Sequence, residues 1–179
     1  AGAAQAEGPE IPFPFKSAAE MLDMAKKSGL SIAQMKAKNE AARGTGALNQ
    51  GSMRIWGVMK DCMDRGLTNE GTLPGGLNVP RRAPGILAKL EQERGRNLTA
   101  PHVVNDWIGT YAMAVNEENA AGGQVVTAPT NGAAGVVPAV IRYWLDHVPG
   151  ATEKRVPEFL LTAAAIAGLV KFNASISGA

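Results

Sequence analysis

The sequence has few of the residues on which several classes of protein depend. Its 179 residues include one cysteine, Cys62, so an internal disulfide framework and a metal site built from several cysteines are both excluded. It has two histidines, and no Ser-His-Asp or Cys-His arrangement can be assembled around them. Chemistry that needs several thiolates must therefore take them from elsewhere.

The sequence also lacks an excess of charge of one sign and a long apolar run. The formal net charge is +2, with Lys and Arg scattered among Asp and Glu, so no nucleic-acid partner is expected. The longest apolar stretch, 159–170, is too short to cross a hydrocarbon layer of roughly 30 Å. The N-terminus lacks the basic start and apolar core of a secretory signal. We expect a cytoplasmic protein with no membrane partner and, because no Met begins the sequence, a piece of a longer chain.

Alanine and glycine are abundant instead, with 30 and 21 copies against three Trp, two Tyr and four Phe. Apolar residues at helical spacing, together with repeated start and stop signals, predict six or seven helices and almost no strand. The predicted fold class is all-α, a compact helical domain with Gly/Pro-rich functional loops. Small residues would let its helix backbones approach closely. Residues 1–16 are predicted to be a linker or disordered lead-in, and 17–179 the helical domain.

Local signals place the helices. Ser17 with Glu20, and Ser31 with Gln34, have the spacing of capping boxes. The segment 66–82 is too rich in Gly and Pro for regular structure. It is also longer than a simple connection between two helices, so we interpret it as a functional loop. Residues 124–127 are expected to be a brief extended piece. The predicted helices cover 17–28, 31–43, 48–65 (ending at Gly66), 83–94, 101–118, 128–147 and 157–171.

The segment TAPTNGAAG, at 127–135, is the strongest candidate for chemistry. Its Gly and Ala residues remove side-chain bulk, so backbone N–H groups can approach a ligand. Thr130 and Asn131 offer short polar groups just before a helix start, where the positive end of the helix dipole suits a carboxylate or phosphate. The simpler interpretation is a tight turn with a helix cap, and the spacing alone does not decide between the two.

Two further polar segments are weaker candidates. NASISGA, at 173–179, follows a helix that its composition predicts to be buried, although a cap or turn is the simpler interpretation. In Asn116-Glu117-Glu118-Asn119 the adjacent carboxylates point to different sides of a helix, so they are not an acid-base pair. A solvated helix end is the favoured interpretation of that segment.

The remaining candidates are single residues or short pairs. Arg81-Arg82 could bind an anion, but two arginines at a helix start are more often surface charge. Neither His102 nor His147 is favoured as a general base. Cys62 lies on an apolar helical face, where a buried and unreactive thiol is expected.

Four segments together resemble one known family. They are RIWGVMKDCMDRG, EGTLPGGLNVPRRA, AVNEENAAGGQVVTAPTNGAAGVVPAV and KFNASISGA, in this order. Over nearly all of 12–179 the sequence resembles the α region of bacterial iron–sulfur L-serine dehydratases. The resemblance implies an enzyme that converts L-serine to pyruvate and ammonia without pyridoxal phosphate. It makes 17–179 a catalytic α domain that is incomplete at its C-terminus.

The resemblance also implies a cofactor. In that family three cysteines hold a 4Fe–4S cluster and leave one iron open as a Lewis acid for the substrate hydroxyl. Those cysteines follow the segment that matches NASISGA, and this sequence ends before them. Cys62 does not match a cluster position. We therefore expect the full-length enzyme to carry the cluster, and this chain alone to bind none and to be inactive.

Site residues and partners follow from the same resemblance. The residues implied to bind L-serine are Thr130, Asn131, Gly132, Ala133, Asn173 and Ser175. The base that removes the α-proton is not identified. A β region, fused or separate, and a homo-oligomer are expected for the full-length enzyme. The alternative function is a non-catalytic helical subunit that binds a ligand or a protein. A pyridoxal phosphate lyase is disfavoured, because such enzymes are α/β proteins with a Schiff-base lysine.

Overall fold

The computed structural model describes residues 9–94, 102–128 and 131–173, and the fold of these residues is all-α. The prediction of an all-α chain with six or seven helices is confirmed for these ranges. The helices are α1 (Ala18–Ser28), α2 (Ile32–Ala42), α3 (Leu48–Thr68), α4 (Ala83–Glu93), α5 (Val103–Ala120), α6 (Asn131–His147) and α7 (Val156–Asn173), with a 3-10 turn at Glu153–Arg155.

The chain divides into two compact units. The first contains residues up to Met53 and from Arg155 onward, and the second contains Arg54–Lys154. The boundary falls inside α3, so the larger part of that helix, from Arg54 onward, belongs to the second unit. Each unit has its own buried residues.

The first unit is built from α1, α2 and α7, with α2 packed against α7. Met21, Met35 and Ala165 are buried at its centre, and Phe13 packs against them. The main chain of Phe13 pairs with Asn39: its N–H donates to Oδ1 at 2.9 Å, and its carbonyl accepts from Nδ2 at 2.8 Å. The Pro-Phe segment therefore packs on this unit. Residues 1–8 of the predicted lead-in lie outside the described ranges.

Capping side chains begin α1 and α2 as predicted. The Ser31 hydroxyl accepts from the Gln34 N–H, and the Gln34 side chain accepts from the Ser31 N–H, which completes the box. Ser17 accepts from the Glu20 N–H in the same way. The Glu20 carboxylate instead accepts from the N–H one residue before the cap. Gly29 ends α1 with φ of 68°, the left-handed conformation that favours glycine.

The apolar helix α7 is less buried than its composition predicts. Ile166 is 50% exposed, Val170 65% and Phe172 64%, so the expectation of a buried helix is wrong toward its C-terminal end. By length and composition alone, the 21 residues Glu153–Asn173 could cross a membrane, with a mean hydropathy of 1.3. One such helix is weak evidence for a membrane span, because the core helix of a soluble protein meets the same criterion.

The second unit is centred on α5, which packs against both α4 and α6. Trp56, Met63, Tyr111 and Ile141 are buried there, each 2% exposed or less. Their spacing along α3, α5 and α6 places one apolar face of each helix toward the same core.

Helix boundaries in this unit differ from prediction by a few residues, and the loop before α4 differs as well. Helix α3 does not stop at Gly66 but continues to Thr68. A Cβ at Gly66 would overlap the backbone of Ala114, so this glycine allows two helices to approach instead of ending one. Residues 124–127 form no strand. The one β-bridge within the described ranges joins Thr72 and Pro80 instead, inside the loop predicted to be irregular.

Candidate functional site

Four of the six residues predicted to bind substrate are described, and these four lie at helix ends. Helix α6 ends at His147 as predicted but begins at Asn131 and not at 128, so Asn131, Gly132 and Ala133 open its first turn. Gly132 is exposed and Ala133 is half-buried. Thr130 and Ser175 lie outside the described residues.

Asn173 is the last residue of α7 and is exposed. Its side-chain amide donates to the Leu169 carbonyl at 2.8 Å and to the Lys16 carbonyl at 3.5 Å. The first of these bonds is local, from a side chain to the carbonyl four residues earlier in the same helix. Because Asn173 belongs to the first unit and the start of α6 to the second, their sharing of one cavity stays a prediction.

The start of α6 packs closely on α5. A Cβ at Gly135 would lie 3.1 Å from the Ala112 carbonyl oxygen and 3.3 Å from Oδ1 of Asn116. A glycine at this position therefore leaves room for the neighbouring helix and for the Asn116 amide. The first N–H groups of a helix have no partner within it and carry its positive end. This packing accounts for one of the small residues in TAPTNGAAG.

The carboxylates of Glu117 and Glu118 are buried, each residue being 3% exposed. The interpretation of this segment as a solvated helix end is therefore wrong for these two residues. Both face protein partners, but on different sides of α5. The prediction that they do not form an acid-base pair agrees with this arrangement.

Glu117 caps the neighbouring helix α4. Its carboxylate accepts from the Arg82 N–H at 2.9 Å and from the Ala83 N–H at 3.3 Å. No side chain of α4 itself caps this end. A carboxylate there satisfies free donors and matches the positive end of the helix dipole. Glu117 thus fixes the start of α4 to the end of α5.

Glu118 is surrounded by donors from three segments. Its carboxylate accepts from Arg81 at 2.8 Å, from Arg65 at 3.0 Å and from the Asn69 amide at 3.2 Å. Burial alone would raise the pKa of Glu118, but the hydrogen bonds from Arg81, Arg65 and Asn69 outweigh it and lower that pKa below its ordinary value. We call Glu118, Arg65, Arg81 and Asn69 the Glu118 cluster.

The segment before α4 is a short hairpin. The Leu73 N–H donates to the Val79 carbonyl and the Arg81 N–H to the Gly71 carbonyl, both at 2.8 Å. Leu77, near its tip, is 88% exposed. The Arg81 side chain is only 9% exposed and is paired with Glu118, so it is neither surface charge nor a free anion site.

The histidines and the cysteine do not form a catalytic group. His102 is exposed before α5, and the His147 ring lies 4.7 Å from that of Trp107 and 4.6 Å from that of Tyr143, centroid to centroid. Burial, and then the charge of Arg94, lower the pKa of His147. Cys62 is 1% exposed, and burial raises the pKa of its thiol, as expected for an unreactive core cysteine.

These residues do not fit an iron–sulfur cluster. Across 9–94, 102–128 and 131–173, no group of three or more His, Cys, Asp or Glu side chains is placed to hold a metal ion. Cluster iron is ligated by several thiolates, and the sequence contains one cysteine, which is buried. Any cluster would need ligands from another stretch of polypeptide.

The described residues form an all-α protein in which the start of α6 packs on α5, and a buried ionic cluster lies at the end of α5. The family model for the serine dehydratase alpha chain matches residues 27–179. The chain therefore belongs to the serine dehydratase alpha-chain family.

Curated relatives carry names that agree with this family. The chain is 52% identical over 170 residues to an L-serine dehydratase of Streptomyces coelicolor, an alignment that covers 94% of this chain and 36% of that protein. It is 45% identical over 171 residues to L-serine dehydratase 2 of Escherichia coli, covering 95% and 37%. It is 42% identical over 173 residues to an L-serine dehydratase of Helicobacter pylori, covering 94% and 37%. The chain thus spans little more than a third of the length of these relatives.

Sequence reasoning missed the Glu118 cluster although a signal was present. Trp107, Tyr111 and Ala114 are buried on α5, and Glu118 continues their spacing of three and four residues. A carboxylate on the buried face of a helix needs a cationic partner. Arg81, which had no assigned role, is one such partner.

Proposed function

We propose that this chain is the substrate-binding part of an L-serine ammonia-lyase, which converts L-serine to pyruvate and ammonia. The observation that carries the proposal is the family match over residues 27–179. The printed names of the relatives, each an L-serine dehydratase, support the same reaction. Because the chain spans about a third of those proteins, activity is proposed for the complete enzyme and not for these residues alone.

Within the complete enzyme, the start of α6 is proposed to bind the amino acid. Thr130, Asn131, Gly132 and Ala133 would hold the carboxylate or amino group of serine. The physical support is a helix start, whose positive dipole end favours an anion, with an exposed glycine in its first turn. Asn173 and Ser175 are proposed to line the same cavity.

The cofactor proposed for the complete enzyme is a 4Fe–4S cluster, used as a Lewis acid. Since the described residues do not fit it, its cysteines are proposed to lie in another part of the polypeptide. A β region, fused or separate, and assembly into a homo-oligomer are proposed as partners, and the cytoplasm as location. The role left to this chain is to bind and orient serine.

The proposal is tested in the full-length enzyme that contains this chain. We expect Asn131→Ala to raise the KM for L-serine by about tenfold, which corresponds to loss of about one hydrogen bond to a charged group. Thr130→Ala is expected to act in the same direction. Steady-state pyruvate formation measures both.

Asn105→Ala is the matched control, because Asn105 is an exposed asparagine in the first turn of a different helix, α5. Its KM is expected to stay within about twofold of the wild-type value. Unchanged KM and turnover in both Asn131→Ala and Thr130→Ala would remove the α6 start from the binding site. Absence of serine turnover in the wild-type enzyme would remove the function itself.

A further inference from the structure

We propose that Arg65 is a positioning residue for the segment that leads into the start of α6. The proposal rests on the function proposed above, because it concerns how the serine-binding turn is held in place. Arg65 does not belong to the predicted site. It lies in α3, which contributes none of the proposed substrate residues.

The geometry consists of one side chain with two partners. Nε of Arg65 donates to the Glu118 carboxylate at 3.0 Å, and a terminal nitrogen of the same guanidinium donates to the main-chain carbonyl of Gln124 at 3.0 Å. A planar guanidinium can serve both acceptors at once in a fixed direction. Arg65 therefore links the end of α5 to the chain that follows it.

The anchor end of this link is rigid. Glu118 is also held by Arg81 and Asn69, so its carboxylate is fixed independently of Arg65. The turn after α5 is fixed as well, because the Gly123 N–H donates to the Glu118 carbonyl at 2.8 Å. A Cβ at Gly123 would lie 2.8 Å from the Glu118 carboxylate, which leaves no space for a side chain there.

The other end of the link is the main chain of 124–128. Among the hydrogen bonds that join two described residues, the one from Arg65 to the Gln124 carbonyl is the one that involves the main chain of 124–128. Val125, Val126 and Ala128 are half-buried, and Thr127 is exposed. In the sequence this segment shortly precedes Asn131, where α6 begins. Loss of the link should let this segment sample other conformations and lower the population of the turn that binds serine.

Arg65→Met in the full-length enzyme is the main test. It removes both hydrogen bonds while keeping the aliphatic stem, and the Arg65 side chain is 41% exposed, so the fold should tolerate it. We expect KM for L-serine to rise by about tenfold with kcat changed less than about threefold. The reason is that a smaller fraction of molecules would hold the turn in the conformation that binds serine. In Arg65→Lys the ammonium group can reach one of the two acceptors at a time. This variant should therefore keep part of the affinity for L-serine that Arg65→Met loses.

Lys60→Met is the matched control. Lys60 lies on the same helix, is 45% exposed, and makes a single ion pair, with Glu153 at 3.0 Å. Its loss should change KM by less than about twofold, as for a surface ion pair. An unchanged KM in Arg65→Met, or an equal rise in Lys60→Met, would overturn the positioning role.

A second measurement does not depend on activity. Thermolysin cleavage of the native full-length protein between residues 124 and 128, followed by mass spectrometry, should be about tenfold faster in Arg65→Met than in Lys60→Met. Equal cleavage rates would overturn the proposal. If the wild-type enzyme fails to convert L-serine, the proposed function fails, and the cleavage rates alone then decide whether Arg65 holds this segment.

Discussion

Glu118 illustrates how a single charged side chain can be buried at a tolerable free-energy cost. A carboxylate removed from water requires compensating donors, and three side chains supply them here. Its lowered pKa means that the folded state favours the ionised form. The stabilisation is therefore complete above the ordinary pKa of 4.5 and is lost as the pH falls through the lower folded value.

We predict that Glu118→Gln destabilises the chain at pH 7 by about 3 kcal/mol, because Arg81 is left buried without its counter-charge. Below pH 4.5 this carboxylate is protonated first in the unfolded chain and, at a still lower pH, in the folded protein, so the difference in unfolding free energy should shrink. Urea unfolding at a series of pH values measures this difference. The pKa values of Glu40 and Glu153 are also lowered. Both residues are present in the two proteins, so their contributions cancel in the difference in unfolding free energy. A difference that stays constant down to acidic pH would contradict the assigned ionic role.

The thiol of Cys62 gives a second prediction for a single residue. It is 1% exposed, and burial raises its pKa, so little thiolate forms at neutral pH. We expect the native chain to react with a disulfide reagent at least about a hundredfold more slowly than the urea-unfolded chain, because only the unfolded form exposes the thiol. The absorbance of the released aromatic thiol follows the reaction. Comparable rates in the two states would show that Cys62 is accessible.

Single residues were predicted well where the reason was local and poorly where it was distant. The burial of Cys62 follows from the apolar face of its own helix. The burial of Glu118 depends on Arg65, Asn69 and Arg81, which are distant in sequence, so the carboxylate pair was assigned to solvent. The buried stripe of α5 pointed to Glu118, but its partners required the fold.

At the level of helices and loops, the glycines of α3 offer a matched pair. Both Gly57 and Gly66 lie in this helix, but only Gly66 faces the backbone of another helix, at Ala114. We predict that Gly66→Ala destabilises the chain by about 3 kcal/mol, because the added methyl forces two backbones apart. Thermal or urea unfolding measures the change.

Gly57→Ala is the control, with no atom within 4 Å of the added Cβ. It should stabilise the helix by roughly 0.5–1 kcal/mol, since alanine has the better helix propensity. Similar destabilisation by both substitutions would show that glycine at 66 serves the helix itself and not its packing on α5.

Helix prediction succeeded at the starts of α1 and α2 and failed at Gly66. The starts of α1 and α2 follow from side chains three residues apart, and the sequence located both. The stop expected at Gly66 was wrong, because a glycine signal is the same whether it ends a helix or admits a neighbour. The bridge between Thr72 and Pro80 was missed for a related reason, since the residues between them include Pro, Gly and Asn, which are frequent in turns and irregular loops alike.

For the whole molecule, the chain's length relative to its relatives matters most. The family is established over residues 27–179, while the chain covers 36% of the Streptomyces coelicolor protein. The sequence could predict the family from local motifs, whereas the proposed serine-binding turn stays a prediction. It could not predict how Asn173 and the α6 start relate, because they belong to separate units.

The proposed division of the enzyme into a substrate-binding part and a cluster-binding part can be tested by reconstitution. We predict that the 179-residue chain, treated anaerobically with iron and sulfide, acquires no visible charge-transfer absorbance and forms no pyruvate from L-serine. The reason is ligand number: a cluster needs several thiolates, and Cys62 is both single and 1% exposed. The full-length enzyme under the same conditions should acquire both the absorbance and the activity.

Cys62→Ala separates this outcome from iron bound adventitiously. If a small absorbance appears on the 179-residue chain and persists in Cys62→Ala, it arises from non-specific iron and the ligand argument stands. If it disappears with Cys62, the buried thiol has become a ligand, which would require the core around it to open. A stable cluster with serine turnover on these residues alone would contradict the division, and would place the metal ligands within the chain.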